Sequence, residues 1–157
     1  MSAPEQETKN KDSHNKAAIR TWLRLLSCET VIEQKLRTLF RTEFSVTLPQ
    51  FDVLSELERT GKPMTMSELS IGLMVSNGNV TGVIDRLERN GLVTRTRAKH
   101  DRRIQYIELT VQGRKDFNNM AQHHEGWVGD ILDKLSDEDM SHLQELLLKT
   151  RNAITEQ

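Results

Sequence analysis

The sequence predicts a mainly α-helical chain carrying one small β-wing. Three observations lead there. Apolar residues recur at three- and four-residue steps through most of the 157 residues, the pattern of helices that bury one side. Two short β-type runs, residues 92–97 and 104–109, flank the charged link Ala98-Lys99-His100-Asp101-Arg102-Arg103 and read as a hairpin. Ser, Thr, Gly and Pro stand where helix starts and stops are needed.

Residues 1–12, MSAPEQETKNKD, are polar and without period, and are expected to be a disordered tail. From about Ser13 a long helix is expected, with Ile19, Trp22, Leu23, Leu26, Ile32, Leu36, Leu39, Phe40 and Phe44 as a wide apolar stripe. A helix of roughly 30 residues is about 45 Å long, more than a small module can cover. Residues 13–46 are therefore expected to be an N-terminal dimerisation helix, partly covered by a second chain.

Thr47-Leu48-Pro49 opens the next helix, with Pro49 in its first turn. Phe51, Leu54 and Leu57 are its core side, and Gly61-Lys62-Pro63 ends it. Thr65-Met66-Ser67-Glu68 fits a capping box, in which Thr hydroxyl and Glu carboxylate satisfy each other's backbone amides. Leu69, Leu73 and Met74 supply that helix with an apolar side before a turn at Val75-Ser76. Ser76 suits the N-cap of a further helix, and Gly91 suits its stop. Two short helices joined by a turn and followed by a hairpin make residues 47–110 a winged helix-turn-helix DNA-binding region. Thr110 caps another long helix over about 111–135, carrying Phe117, Met120, Trp127, Val128, Ile131, Leu132 and Leu135. Ser136-Asp137-Glu138-Asp139 starts the last helix with an acidic first turn that suits the helix dipole. Its apolar side is Met140, Leu143, Leu146, Leu147 and Ile154. Residues 111–157 are expected to be C-terminal dimerisation helices.

The helix after Ser76 carries the sharpest signal. Val80, Val83, Ile84 and Leu87 form one buried stripe. The opposite face holds Gly78, Gly82, Asp85 and Arg89, flanked by Asn79, Thr81 and Arg86. Each interior glycine costs about 1 kcal/mol against alanine, so a face kept bare suits a backbone that must lie close to another large surface. From Asp85 to Arg103 seven Arg or Lys stand against three Asp or Glu, a local +4 in a chain of net −1. From Asp116 to Gln157 nine acidic residues stand against three basic. Phosphates attract the first segment and repel the second, so the acidic helices should point away from a duplex and form the dimer.

Composition narrows the classes. With 36% apolar and 29% charged residues, the chain has the balance of a soluble, helix-rich protein. No run approaches the ~20 apolar residues of a membrane span, and no secretory signal opens the sequence; a cytoplasmic location is expected. The lone cysteine, Cys28, excludes an internal disulfide and a cysteine-rich zinc site. No phosphate loop, nucleophile motif or paired carboxylates point to an enzyme, and no cofactor is expected.

The runs Leu48-Pro49-Gln50-Phe51-Asp52-Val53-Leu54, Met66-Ser67-Glu68-Leu69, NVTGVIDRLERNGLV from Asn79, and Asp101-Arg102-Arg103 with Ile107-Glu108-Leu109-Thr110 resemble the MarR family of bacterial winged-helix regulators over about residues 15–155. The resemblance implies that the helix from Asn77 to Asn90 reads a major groove and that Asp101 holds Arg103 for the minor groove. Asn77, Asn79, Thr81 and Arg86 would then meet bases or phosphates, Gly78 and Gly82 permit close approach, and Lys99 and Arg102 touch the backbone. A two-fold dimer would read an inverted repeat with recognition helices roughly 34 Å apart. The stretch VSNGNVTG from Val75 is similar to a subgroup that controls aromatic-acid catabolism and responds to aromatic acyl-CoA thioesters.

Effectors in this family bind between the dimer helices and the winged region, which implies a lining of Trp22, Leu26, Phe51, Phe117 and His124. Lys16, Arg20 and Arg24 recur every four residues, a destabilising spacing for like charges. Their counter-charge could be the partner's acidic helices, an anionic effector such as acyl-CoA phosphates, or solvent. Cys28 raises a redox-sensor alternative, since some relatives sense peroxides through a cysteine on this helix. Its apolar neighbours instead favour an inert, partly buried thiol. His123 and His124 point about 100° apart on a helix and do not converge on a metal. A protein-interaction winged helix is the alternative from outside DNA binding.

Overall fold

Six helices and three short strands follow one another in the computed structural model, which describes residues 3–73 and 77–156. They are α1 (Ala3–Phe44), α2 (Leu48–Thr60), β1 (Met64–Thr65), α3 (Met66–Leu73), α4 (Asn77–Arg89), β2 (Val93–Arg97), β3 (Gln105–Leu109), α5 (Val111–Leu132) and α6 (Asp137–Thr155). The architecture is the expected one, mainly helical with a small antiparallel sheet.

Two boundaries differ from expectation. Helix α1 begins at Ala3, not near Ser13, so the stretch expected to be a disordered tail is helical from its third residue. Glu, Gln and Lys are good helix formers, and a missing apolar period speaks to burial rather than to backbone conformation. Helix α5 stops at Leu132, short of Leu135. The expected Ser76 cap, the Val75-Ser76 turn and Met74 lie outside the described residues.

The caps act as the sequence implies. The Thr47 hydroxyl accepts from the Gln50 amide while Gln50 returns its side-chain oxygen to the Thr47 amide, which satisfies the otherwise costly buried Gln50. Thr65 and Glu68 repeat the device at α3. Gly61, at φ 67°, closes α2 in the left-handed conformation.

One core joins the parts. Phe40 of α1, Leu54 of α2, Leu69 of α3, Ile84 and Leu87 of α4 and Ile107 of β3 are all fully buried. Phe40 is the hub of an aromatic junction: Phe51 lies 4.4 Å away, Trp127 meets it edge-on at 5.1 Å, and His124 stacks at 5.8 Å. Phe117 in turn stacks on Phe51 at 5.6 Å. The junction ties α1 and α5 to α2.

The sheet has the order β1-β3-β2, with Met64 opposite Ile107 and Arg95 also opposite Ile107 on the other side. Strand β1 was not foreseen. Two residues cannot show an alternating pattern, and only the pairing with β3 makes them a strand. Thr110 then stitches α5 to the hairpin base: its amide donates to the Leu92 carbonyl at 3.1 Å and its hydroxyl to the Gly91 carbonyl at 2.6 Å. Gly113 lies so near that a Cβ there would sit 1.9 Å from the Leu92 oxygen.

The two ends of the chain differ from this centre. Helix α6 has no buried residue, and Leu143, Leu146, Leu147, Leu148 and Ile154 are between 40% and 65% exposed. Ile19, Trp22, Leu23 and Leu26 on the first half of α1 are likewise exposed. None of the described helices is long and apolar enough to cross a membrane.

Two outcomes follow. Gly113→Ala forces the start of α5 off the hairpin base, and overpacking of this kind costs about 1–3 kcal/mol; urea unfolding should show a lowered midpoint at unchanged slope. Burial holds the His124 pKa below its ordinary value, so the folded chain binds that proton less readily than the unfolded one. Its contribution to stability is complete above the unfolded value near ~6.5 and is lost as pH falls below it toward the lower folded value. Melting temperatures measured from pH 8 to pH 5 should therefore decline less steeply for His124→Phe than for the parent.

Candidate nucleic-acid interface

Helix α4 turns one side inward. Val80, Ile84 and Leu87 are buried and Val83 is partly so, because α4 packs on α2, α3 and β2. The outward side carries the exposed Asn79, Thr81, Gly82, Asp85, Arg86 and Arg89, while Asn77 and Gly78 form the first turn. A Cβ built on Gly82 meets nothing within 4 Å. Its absent side chain therefore does not serve internal packing. Gly91, at φ 74°, ends the turn after α4; its amide donates to Glu88 and that of Leu92 to Leu87, the Schellman arrangement that sends the chain into β2.

The link 98–103 forms the wing tip. Ala98 is buried, and its amide donates to the Ile104 carbonyl at 2.9 Å. Lys99, His100, Arg102 and Arg103 are exposed. Asp101 organises Arg103 through three hydrogen bonds: the Arg103 amide to Oδ1 at 3.0 Å, Nε to the same oxygen at 3.1 Å, and Nη2 to Oδ2 at 3.1 Å. The Arg103 side chain first, and its backbone amide second, hold the Asp101 carboxyl below its ordinary pKa. With Arg103 91% exposed, the guanidinium is oriented yet presented to solvent. Such a braced arginine at a hairpin tip has the shape and charge to enter a narrow minor groove.

Arg95 was missed as a site residue. It pairs with Asp85 and, at 3.4 Å, with Glu88, joining the wing to α4. The motif run from Asn79 contains Asp85 and Glu88 but stops short of Arg95, and nothing in the spacing shows that a strand residue ten positions on reaches Asp85.

The residues expected to hold an effector are brought together only in part within this chain. Phe51, Phe117 and His124 sit in the aromatic junction. Trp22 and Leu26 are exposed on α1, about 27 and 21 Å along the helix axis from Phe40 at 1.5 Å per residue. Lys16, Arg20 and Arg24 are exposed there too, and Lys16 has a counter-charge the spacing argument overlooked, Asp12 at 3.5 Å. Cys28 is exposed rather than partly buried, because Leu26 and Val31 beside it are themselves uncovered. His123 and His124 diverge: one meets Phe44 edge-on, the other stacks on Phe40. A different hollow appears between α1 and α5, with a volume near 640 Å³, lined among others by Val31, Lys35, Leu39, Trp127, Asp130 and Ile131.

With the open space around Gly82, Gly82→Ala should raise folding stability by about 0.5–1 kcal/mol, read as a higher urea midpoint. A lowered midpoint would mean that the position is occupied.

The chain is similar to known proteins in both sequence and fold. Residues 46–105 match the family model described as the MarR family. The regulator PecS of Dickeya dadantii, an HTH-type transcriptional regulator, is 34% identical over 119 residues, covering 74% of this chain and 71% of its own. The transcriptional activatory protein BadR of Rhodopseudomonas palustris is 31% identical over 141 residues, covering 88% and 80%. The crystal structure of a MarR family transcriptional regulator from Silicibacter pomeroyi superposes with a TM-score of 0.78 at 26% identity, over 90% of this chain and 97% of that one.

Proposed function

This chain belongs to the MarR family of DNA-binding transcriptional regulators, and on that premise we propose that it works as a homodimeric repressor that releases an inverted-repeat operator when a small anionic aromatic molecule, or its CoA thioester, binds. The observation that carries the DNA half is the braced, solvent-presented Arg103 beside the open face of Gly82. In this reading Asn77, Asn79, Thr81 and Arg86 meet bases or phosphates in the major groove, where asparagine can pair with adenine. Gly78 and Gly82 let the backbone approach. Arg103, held by Asp101, enters the minor groove, with Lys99 and Arg102 on phosphates.

The exposed apolar sides of α6 and of the first half of α1 support a second copy. A 19-residue helix with no buried residue gains little from its own chain, and isolated helices are marginal in water. A two-fold partner on residues 13–46 and 111–157 would cover both faces. Repression is the output because a dimer seated on a promoter occludes it by occupancy alone.

For the effector, the α1–α5 hollow supports a site. Its volume suits a small aromatic molecule, Trp127 offers a ring face and Lys35 a cation. It adjoins the aromatic junction through Trp127, so a ligand there would bias how α1 and α5 sit on the winged region. Such a bias needs only a few kcal/mol of differential affinity.

Arg103→Ala should lower affinity for the region upstream of the chain's own gene by roughly tenfold and flatten its salt dependence by about one unit, measured by fluorescence anisotropy at several salt concentrations. Unchanged affinity and slope remove the wing from the mechanism. Gly82→Ala should weaken the same complex even as it stabilises the fold. A gel shift repeated with aromatic acids and with their CoA thioesters tests the effector: inhibition by either supports the site, and indifference to both rejects it.

A further inference from the structure

We propose that Arg95 is a positioning residue that locks the wing onto the recognition helix, so that the angle between α4 and Arg103 is set before DNA is met. The inference rests on the DNA-binding reading above, though the geometry behind it does not. Arg95 lies opposite Ile107 in the strand register, so it leaves the sheet on the side where Ile107 is fully buried. Its guanidinium pairs with Asp85 and, at 3.4 Å, with Glu88. Those two carboxylates stand three apart on α4, one above the other on a single face.

The side chain is only 19% exposed, against 91% for Arg103 at the tip. Its Nε is buried with no hydrogen-bond partner among the described residues, a cost that a solvated cation would not bear. What offsets that cost is the double anchor. A planar guanidinium can reach two carboxylates at once where an ammonium acts as a single point. The hairpin needs the brace because its ordered base, Val93 and Ile107 in the core, lies well away from the tip, and a two-stranded ribbon alone is marginal in water. Arg95 sits level with Ile107, on the tip side of Val93. It also cancels negative charge on the side of α4 that would face phosphates, so charge and position must be separated by experiment.

Two variants of the full chain do so: Arg95→Ala, and Asp85→Asn combined with Glu88→Gln. The second changes only half-exposed side chains, and it serves if the first fails to fold. Amide hydrogen exchange of the free protein should rise across residues 95–104 in both. On a duplex recovered by the parent protein from a randomised pool, both should bind roughly tenfold more weakly, the scale of one charge-assisted hydrogen bond. Hydroxyl-radical protection beneath the wing should be lost while protection beneath α4 is kept. The carboxamide variant makes the face more positive; if it binds as tightly as the parent or tighter, with exchange unchanged, Arg95 neutralises charge and positions nothing. Should the parent recover no duplex, the DNA-binding reading falls, and the exchange comparison still decides whether the brace exists.

Discussion

Burial of Val80, Ile84 and Leu87 along one side of α4 decides what the other side of that helix can be. Once the stripe is anchored on α2, α3 and β2, the rotation of α4 about its own axis is settled, because turning it by one residue step would expose a fully buried isoleucine and leucine. Gly82 then faces open space, and Asp85, Arg86 and Arg89 face solvent. The glycine lowers the helix's own stability, and the core supplies the compensation. A surface suited to close backbone approach is thus bought with burial on the reverse of the same helix.

The hairpin obeys the same logic. Its base is held by Val93 and Ile107 in the core, by β1 on its far edge, and by Thr110 and Gly113 folded against the carbonyls of residues 91 and 92. Its middle is tied to α4 by Arg95. Beyond the buried Ala98 and its bond to Ile104, its tip is held by the brace between Asp101 and Arg103. Restraint therefore falls from base to tip, leaving one cation oriented by local hydrogen bonds and otherwise open to a partner. At so exposed a site the pair adds little to stability; what it supplies is orientation.

Between the winged region and the long helices lies the aromatic junction of Phe40, Phe51, Phe117, His124 and Trp127. Interlocking rings transmit displacement because close-packed interiors yield little. Any ligand or partner chain that shifts α1 against α5 would move the winged region through these rings, and the proposed effector site shares Trp127 with them. The central basic segment and the acidic C-terminal helices complete the polarity: one end suits phosphates, the other is repelled by them.

Sequence by itself was enough for what depends on near neighbours along the chain. The capping box at Thr65, the N-cap at Thr110, the stops at Gly61 and Gly91 and the inward stripe of α4 all join residues a few positions apart, where spacing dictates geometry; the Asp101–Arg103 brace was implied by the family resemblance of its motif. Contacts between distant segments were decided only by the tertiary structure. Strand β1 exists because β3 lies beside it, Arg95 matters because the hairpin folds back on α4, and Gly113 is required because α5 starts against Leu92. Trp22 and Leu26 stand apart from Phe51, Phe117 and His124 for the same reason: periodicity shows which side of a helix is apolar, but not which other helix, of this chain or another, will cover it.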